Sequence, residues 1–428
     1  MQTFDLNQTQ AQKWSFSEAS PVAEGLYAIS SSLGRGKVLD IKNGSISNGT
    51  NLQLYDSNGT SAQMFRVSVL GSGWYRIVCL GSNKSLDVVD GKISPTEGLG
   101  YVQQWDGNAG AAQKWKFEYA GGGFVSIVSA CGEGSSCLDV FGAQTVNGTA
   151  VGVYRRNGSL AQKFKMQEIG SVAYISYSIS LPSLFEYQRT GNSHIADVSD
   201  SELYQALDPS NSVGAAFYQF ADLRINTGLS GSQLDRYIKR HGSGGVLEGK
   251  GSVFAAAASL SRLNEAYLAA HTCLESGWGK SQLAKGSYYD GKGYWYTGKD
   301  GKQYWAALAG YKAGTYYNLF GIGAYDADPH KYGVEAAIRN GWNSVDSAVY
   351  GAAEWIAKNY VYASSYPQVT LYNMKWDTTR SDASKKYGWH QYATDVQWAK
   401  KTARLMGDCY SSAGVLNPDV VYRVPSYA

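Results

Sequence analysis

The sequence predicts a multidomain protein in which a closed all-β domain with three-fold repetition precedes a mainly α-helical domain. Two observations predict this. A short segment recurs about every 50 residues up to about residue 168, and alanine-rich stretches with helical spacing follow after about residue 170. With 428 residues, the chain is long enough for two to three domains.

The repeated segment consists of Ala-Gln followed by an aromatic residue or its near equivalent: AQKWSF, AQMFRV, AQKWKF and AQKFKM, with their glutamines at Gln12, Gln63, Gln113 and Gln162. The three stretches between them each contain Leu-Asp, a loop, an alternating strand, an aromatic residue and a turn. Short strands with Gly and Asn turns, repeated three times, indicate a closed β structure rather than an open solenoid. The first copy either supplies the first strand or belongs to a further unit upstream.

This pattern resembles the ricin-type β-trefoil lectin module over residues 11 to about 168. The Gln-x-Trp signature of that family stands at Gln12 to Trp14 and at Gln113 to Trp115, with Phe65 and Phe164 replacing tryptophan in the other copies. The resemblance implies that this signature builds the core of the domain. It also implies three shallow sugar pockets, formed by Asp40, Tyr55 and Asn58; by Asp87, Trp105 and Asn108; and by Asp139, Tyr154 and Asn157.

The chemistry of these residue types fits such pockets. A carboxylate and an amide hydrogen-bond to vicinal hydroxyls, and an aromatic ring packs on the C–H face of a sugar. Alternatively, each Leu-Asp only stabilises the turn that follows it. Two or three weak pockets on one domain gain by avidity on a polymeric glycan.

Composition excludes several other classes of protein. Charged residues make up 17% of the chain, the net charge is +3, and Lys and Arg do not cluster, so nucleic-acid partners are not expected. No apolar run reaches the roughly 18 residues of a membrane span, and no basic-then-apolar leader opens the sequence. Five cysteines leave at least one unpaired. Cys131 and Cys137 flank a loop that could close a local disulfide, and their spacing alone does not decide whether the bond forms.

The second half is expected to be mainly helical. We predict the β domain at residues 1–169, a connector at 170–199 and the helical domain at 200–428. Candidate helices span residues 200–207, 230–240, 253–262, 264–276, 344–359 and 394–405. Residues 286–310 contain several tyrosines and tryptophans between glycines and lysines, and we interpret them as an exposed flap that stacks on sugar rings.

Glu275 is the candidate catalytic residue. It lies next to the apolar stripe of the helix predicted at 264–276, one turn after His271, and just before a Gly-Trp-Gly turn. A helix carboxyl terminus and a neighbouring Trp278 both disfavour a charged carboxylate, so we predict a raised pKa for Glu275. Such a group can protonate a glycosidic oxygen near neutral pH. A solvated surface glutamate is the alternative, and His271 is expected to be structural.

Three stretches together resemble the glucosaminidase family of bacterial cell-wall hydrolases, over roughly residues 180–406: HTCLES, NLFGIGAYD and QYATD. The resemblance implies a lysozyme-like α+β fold and a secreted or wall-associated endo-β-N-acetylglucosaminidase. Such an enzyme cleaves the β-1,4 bond after N-acetylglucosamine in peptidoglycan strands, without metal or cofactor. Glu275 corresponds to the general acid, with Tyr392 facing it. The remaining expected groove residues are Trp278, Asn318, Phe320, Tyr325, Asp326 and Gln391.

The second catalytic group stays open at this point. A two-carboxylate mechanism needs another acid, for which Asp326 ranks first, ahead of Asp328, Glu335 and Asp346. Alternatively, the N-acetyl oxygen of the substrate acts as the nucleophile. Two other functions are compatible with the sequence: an inactive glycan-binding adhesin or lectin, and a muramidase or lytic transglycosylase on the same fold.

Overall fold

The structure is a computed structural model that describes residues 21–191, 195, 197–324, 327–378, 390–415 and 418–428. Its amino-terminal part consists of short antiparallel strands, as the repeats predict. Twelve strands belong to the three repeats: β1 (Gly25–Ser31), β2 (Lys37–Ile41), β3 (Thr50–Asp56), β4 (Phe65–Gly71), β5 (Trp74–Cys79), β6 (Lys84–Val88), β7 (Leu99–Trp105), β8 (Trp115–Gly121), β9 (Phe124–Ser129), β10 (Ser136–Val140), β11 (Thr149–Arg155) and β12 (Phe164–Tyr177).

The β domain closes on itself. Its first strand, β1, pairs antiparallel with its last, β12, and Ser31 lies opposite Phe164. The aromatic positions of the repeated segment are fully buried in one core, at Phe65, Trp115 and Phe164. The Trp115 indole also donates a hydrogen bond to the Leu86 carbonyl over 3.1 Å. The closed three-fold all-β domain is therefore confirmed, while the first copy of the segment, with Gln12 and Trp14, lies outside the described residues.

The second half is mainly helical, as predicted. Its helices are α1 (Leu181–Gly191), α2 (Asp200–Leu207), α3 (Gly231–Gly242), α4 (Gly251–Ser261), α5 (Glu265–Glu275), α6 (Pro329–Arg339), α7 (Val345–Ile356), α8 (Leu371–Trp376) and α9 (Trp398–Ser412). A small antiparallel sheet contains β13 (Ser287–Tyr289), β14 (Gly293–Thr297), β15 (Gln303–Ala307) and β16 (Gly314–Tyr316), and β17 (Val420–Tyr427) ends the chain.

The six predicted helices are present as α2, α3, α4, α5, α7 and α9, with shifted ends. Three further helices were not predicted. Helix α6 starts at Pro329, since proline is well suited to the first position of a helix. Helix α8 has only six residues and is buried throughout, so it shows no amphipathic period.

The hydrophobic core of the helical half extends into the β domain. Strand β12 continues through Gly170 and pairs in parallel with β17, from Gly170 opposite Val420 to Tyr177 opposite Tyr427. Leu26, Met64 and Leu80 of the β domain belong to the same buried cluster as the helices. The β domain is therefore packed directly against the helical domain.

Two further expectations concern membranes and thiols. Among the described residues, no helix combines the length and the apolar character needed to cross a bilayer. Cys131 and Cys137 do not form the disulfide that their spacing permits, and both are buried free thiols. Burial raises the pKa of Cys137 to about 12, which makes this thiol unreactive.

Candidate active site

Helix α5 places Glu275 at the edge of the helical core. Asn264 caps the helix by accepting a hydrogen bond from the Tyr267 amide over 2.9 Å. Every residue from Glu265 to Cys273 is buried, so the position of the helix is fixed by packing on all sides. The chain then reverses through Gly277 and Trp278, which both have a positive φ. Glu275 therefore comes at the last turn of a rigid helix, with a side chain that is 26% exposed.

Two side chains contact the Glu275 carboxylate. The Trp398 indole nitrogen donates a hydrogen bond to Oε1 over 3.0 Å. His271 Nε2 lies 3.3 Å from the same oxygen, at ion-pair distance but without the alignment of a hydrogen bond. The other nitrogen of the imidazole, Nδ1, lies 3.1 Å from the Tyr267 hydroxyl. His271 is fully buried, so its interaction with Glu275 is little screened by water.

The predicted direction of the Glu275 pKa is wrong. Burial does raise the pKa, but the contact with His271 and the hydrogen bond from Trp398 outweigh it, and the pKa lies below its ordinary value. The prediction failed because it assigned desolvation to Trp278 and did not count the contacts of Glu275 with His271 and Trp398. Trp278 instead stacks on His241, with ring centroids 5.1 Å apart, and contacts Tyr237 of α3.

Aromatic rings enclose the His271 imidazole. Its ring meets Phe320 edge-on at 5.0 Å, Tyr392 at 4.6 Å and Trp398 at 5.2 Å between centroids. Tyr392 in turn stacks on Trp398 at 4.8 Å. Burial and the nearby Glu275 charge raise the Tyr392 pKa well above its ordinary value, so its hydroxyl stays protonated. The structure thus brings Glu275, Phe320 and Tyr392 together, as expected from the sequence.

The segment that carries Tyr392 is fixed by a buried lysine. Lys375 Nζ lies 2.8 Å from the Ala393 carbonyl and 3.2 Å from the Thr394 carbonyl. The Tyr392 amide donates to the Met374 carbonyl over 2.9 Å. Gln391, an expected groove residue, donates to Gln188 over 2.7 Å. These contacts place the Tyr392 ring against His271.

Asn318 organises the loop after β16 through backbone contacts. Its amide nitrogen donates to the Ile322 and Gly333 carbonyls over 2.8 and 3.0 Å, and its carbonyl accepts from the Phe320 and Ile322 amides. It is buried, so these bonds hold Phe320 in place. Two other predicted residues of this loop, Tyr325 and Asp326, lie outside the described residues.

Each of the other candidate acids either pairs with a cation or caps a helix. Glu335 forms an ion pair with Arg339, four residues later on α6. Asp346 lies 2.7 Å from the Lys250 ammonium, at the first turn of α7. Asp328 occupies the N-cap position of α6. None of the three is recorded in contact with Glu275 among the described residues.

The β domain places the predicted sugar-pocket residues of each repeat near one another. In the first repeat, Asp40 is buried and accepts hydrogen bonds from Gln53 over 2.7 Å and from Gln63 over 3.0 Å. Gln63 also accepts a hydrogen bond from the Asn58 amide over 2.8 Å. The repeated glutamine therefore links the predicted aspartate to the predicted asparagine. The nearby ring of Tyr55 is exposed.

The second repeat has the same arrangement. Asp87 accepts from Gln103 over 3.0 Å and from Gln113 over 3.1 Å, and Gln113 accepts from the Asn108 amide. Trp105 is 41% exposed at its edge. Here an exposed indole lies beside an aspartate whose carboxylate is buried and bonded to two glutamines.

The third repeat departs from this pattern. Gly152 lies opposite Asp139, where the other repeats carry a glutamine, and the Phe141 ring covers it. Gln162 accepts from the Asn157 amide over 2.8 Å, as in the other repeats. Burial raises the Asp139 pKa. Tyr154 is half-buried, so this site offers less aromatic surface.

Two residues that contact Glu275 were not assigned to the active site from the sequence. Trp398 starts α9, where an aromatic residue resembles ordinary core, and His271 was expected to be structural. In the parts of the chain that the structure describes, His, Cys, Asp and Glu form no group of three suited to a metal ion.

Family models match both halves. Residues 251–411 match "Mannosyl-glycoprotein endo-beta-N-acetylglucosaminidase", the glucosaminidase family, and residues 10–105, 96–154 and 111–179 match the "Ricin-type beta-trefoil lectin domain-like" family. These matches agree with the fold and with the position of Glu275 in the helical half.

Curated relatives and a solved structure are also similar. A Beta-N-acetylglucosaminidase of Bacillus subtilis is 35% identical over 50% of this chain and 21% of its own length. A Bifunctional autolysin of Staphylococcus aureus is 35% identical over 49% of this chain and 15% of its own length. The chain therefore spans about a fifth or less of these relatives.

The solved structure is that of a catalytic variant of S. aureus Autolysin E with the disaccharide NAG-NAM. It is 26% identical over 58% of this chain and 99% of its own, with a TM-score of 0.44. The helical half of the chain thus matches the glucosaminidase family, and it follows a β domain that matches the ricin-type β-trefoil lectin family.

Proposed function

We propose that the protein is a glycoside hydrolase that cleaves the glycan strands of peptidoglycan, as an endo-β-N-acetylglucosaminidase. The observation that carries the proposal is the Glu275 carboxylate, partly exposed at the end of a buried helix and contacted by His271 and Trp398. The family match and the names of the curated relatives support the same reaction. We assign catalysis to the helical domain, predicted at residues 200–428.

Glu275 is the proposed proton donor to the glycosidic oxygen. In the free protein its lowered pKa keeps it ionised at neutral pH. A bound glycan displaces water from the exposed part of the carboxylate, and this strengthens desolvation, which already acts to raise the pKa. Glu275 then takes up a proton more readily and acts as a neutral acid at the bond to be cleaved.

A second group is needed to stabilise the positive charge that develops on the sugar. Glu335 and Asp346 are paired with cations, and Asp328 occupies a helix cap, which favours the two remaining candidates. These are Asp326 and the N-acetyl oxygen of the substrate itself. Tyr392, held neutral beside His271, is proposed to orient the substrate. Phe320, Gln391 and Tyr325 are assigned to the groove. Asn318 is assigned to holding the loop of Phe320 in place, and Trp278, which stacks on His241, is left out of the groove.

The trefoil is proposed to hold the enzyme on its polymeric substrate. The first two pockets combine a buried aspartate with an exposed ring. In the third, Gly152 stands where the others have a glutamine, and the Phe141 ring covers it. Several weak sites on one rigid body increase residence on a glycan surface. A secreted or wall-associated location follows from this substrate.

The product identifies the reaction. Purified Gram-positive peptidoglycan is digested, reduced with borohydride and analysed by mass spectrometry. The proposal predicts new reducing ends of N-acetylglucosamine. Reducing ends of N-acetylmuramic acid would assign a muramidase, and anhydro-muramic ends a lytic enzyme. Absence of new ends, with wall binding retained, would assign a lectin or adhesin.

A further inference from the structure

The small sheet of strands β13 to β16 carries a straight row of aromatic side chains. Trp295 on β14 lies directly opposite Trp305 on β15. The pairing of Tyr289 with Tyr294 places Tyr288 of β13 opposite Trp295 on the other side. Directly paired residues share one face of a sheet. Tyr288, Trp295 and Trp305 therefore form one row across three neighbouring strands, at the usual strand spacing of about 4.8 Å.

All three rings of this aromatic row face solvent. Tyr288 is 65% exposed, Trp295 is 61% exposed and Trp305 is 46% exposed. They are adjacent on one surface, whereas scattered exposed apolar side chains are ordinary in any protein. The row is one residue wide. On the same face, Gly293 and Ala307 lie on one side of the row, and Thr297 and Gln303 lie on the other.

The sheet under the row is rigid. Its opposite face buries Tyr289, Tyr294 and Tyr316. The Tyr289 hydroxyl donates to the Leu308 carbonyl over 2.8 Å, and the Tyr294 hydroxyl donates to the Lys331 carbonyl of α6 over 3.2 Å. The first bond ties β13 to the end of β15, and the second anchors the sheet to α6.

The Trp305 indole occupies the space that a side chain at residue 293 would need. A Cβ at residue 293 would come within 2.2 Å of the indole Cζ2. The indole therefore lies over Gly293 and remains partly exposed. A flat ring with an exposed face suits the C–H face of a pyranose, and the polar flank of Thr297 and Gln303 suits its hydroxyls.

We propose that Tyr288, Trp295 and Trp305 form a further glycan-binding surface, distinct from the trefoil pockets, that holds a strand of N-acetylated amino sugars. The sheet is continuous with the site: β16 ends at Tyr316, and the loop that follows brings Phe320 against His271 at 5.0 Å. This inference rests on the proposed function, because it assigns the same glycan to the row. It extends that function by adding a contact outside the catalytic groove.

Binding is measured in the full chain carrying Glu275→Gln, so that the ligand is not consumed. Sedimentation with insoluble peptidoglycan and titration with chitohexaose provide the two readouts. The double change Tyr288→Ala with Trp295→Ala is expected to weaken both about tenfold. The single change Trp295→Phe retains an aromatic ring at this position, and this variant is expected to keep most of the wild-type binding.

Tyr119→Ala is the matched control, since Tyr119 is 71% exposed but lies on the trefoil strand β8. It is expected to leave the chitohexaose affinity unchanged. Thermal melting checks that the double variant is folded, and Trp305 is left in place because it covers Gly293.

Chitohexaose affinity that is unchanged in the folded double variant would overturn the proposal. So would a change from dimer to monomer at unchanged affinity, since the row would then serve a second copy of the chain. If the row binds chitohexaose but the wild type releases no reducing ends, the proposed hydrolysis fails while the glycan surface stands.

Discussion

The Trp398 indole nitrogen donates a hydrogen bond to the Glu275 carboxylate over 3.0 Å, across 123 positions of sequence. This bond joins the start of α9 to the end of α5. It also stabilises the charged form of the carboxylate that we propose as the proton donor. With His271 on the same oxygen, it sets the direction of the Glu275 pKa.

Replacing His271 by Gln is expected to raise the Glu275 pKa. Burial then acts against only the Trp398 hydrogen bond, so the neutral acid persists to higher pH. In the wild type, kcat/KM is expected to fall as pH rises through a pKa below the ordinary glutamate value, since this ratio reports the free enzyme. The fall moves to higher pH in the variant. A pH profile that does not move would exclude His271 as the group that tunes Glu275.

Lys375→Met tests the buried ammonium that fixes the Tyr392 segment. Burial lowers the pKa of Lys375 to about 8, from 10.5 in the unfolded chain. Between these values the unfolded state binds more protons, so folding stability rises with pH. The free energy of unfolding of the wild type, relative to Lys375→Met, is expected to increase by about 3 kcal/mol over this range. Urea unfolding at pH 7 and pH 11 measures it, and a constant difference would contradict the account.

Trp115→Ala is expected to destabilise the trefoil by about 3–5 kcal/mol, because it empties a fully buried site and removes the hydrogen bond to the Leu86 carbonyl. Lys116→Ala is the control, at an exposed position on the same strand. Calorimetry compares the two. Equal melting temperatures would show that the repeated aromatic residue is not a core element.

Trp105→Ala is expected to weaken wall binding while leaving cleavage of a short soluble glycan unchanged. The indole is exposed beside the buried Asp87 and has no contact with the helical active site in the described structure. Co-sedimentation with peptidoglycan and a soluble-substrate assay separate the two effects. Val69→Ala, also half exposed on the trefoil, is the control. Loss of soluble activity in Trp105→Ala would contradict the division of roles.

The repeats made the trefoil predictable, because Gln63, Gln113 and Gln162 occupy equivalent positions and their partners lie nearby in sequence. Helix α5 was predictable for a similar reason: its apolar spacing and its Asn264 cap are local. The residues that surround Glu275 could not be predicted from local sequence. Trp398 is distant along the chain, and Trp278, the nearest tryptophan in sequence, is turned towards α3.

The direction of the Glu275 pKa shift depended on that distant contact and on the contact with the buried His271. Sequence spacing placed His271 one turn before Glu275, but it gave no measure of how deeply the imidazole is buried. The straight aromatic row on the small sheet could not be predicted from the sequence either, because it depends on strand register. Tyrosines and tryptophans at residues 286–310 indicated only an exposed aromatic segment.

Turnover by Glu275→Gln tests the central claim most directly. The substitution keeps the size of the side chain and removes its exchangeable acid proton. Release of reducing ends from peptidoglycan is expected to fall roughly a hundredfold to ten-thousandfold, with wall binding retained. Release at the wild-type rate, from a variant that is folded and binds the wall, would contradict the assignment of Glu275 as the proton donor.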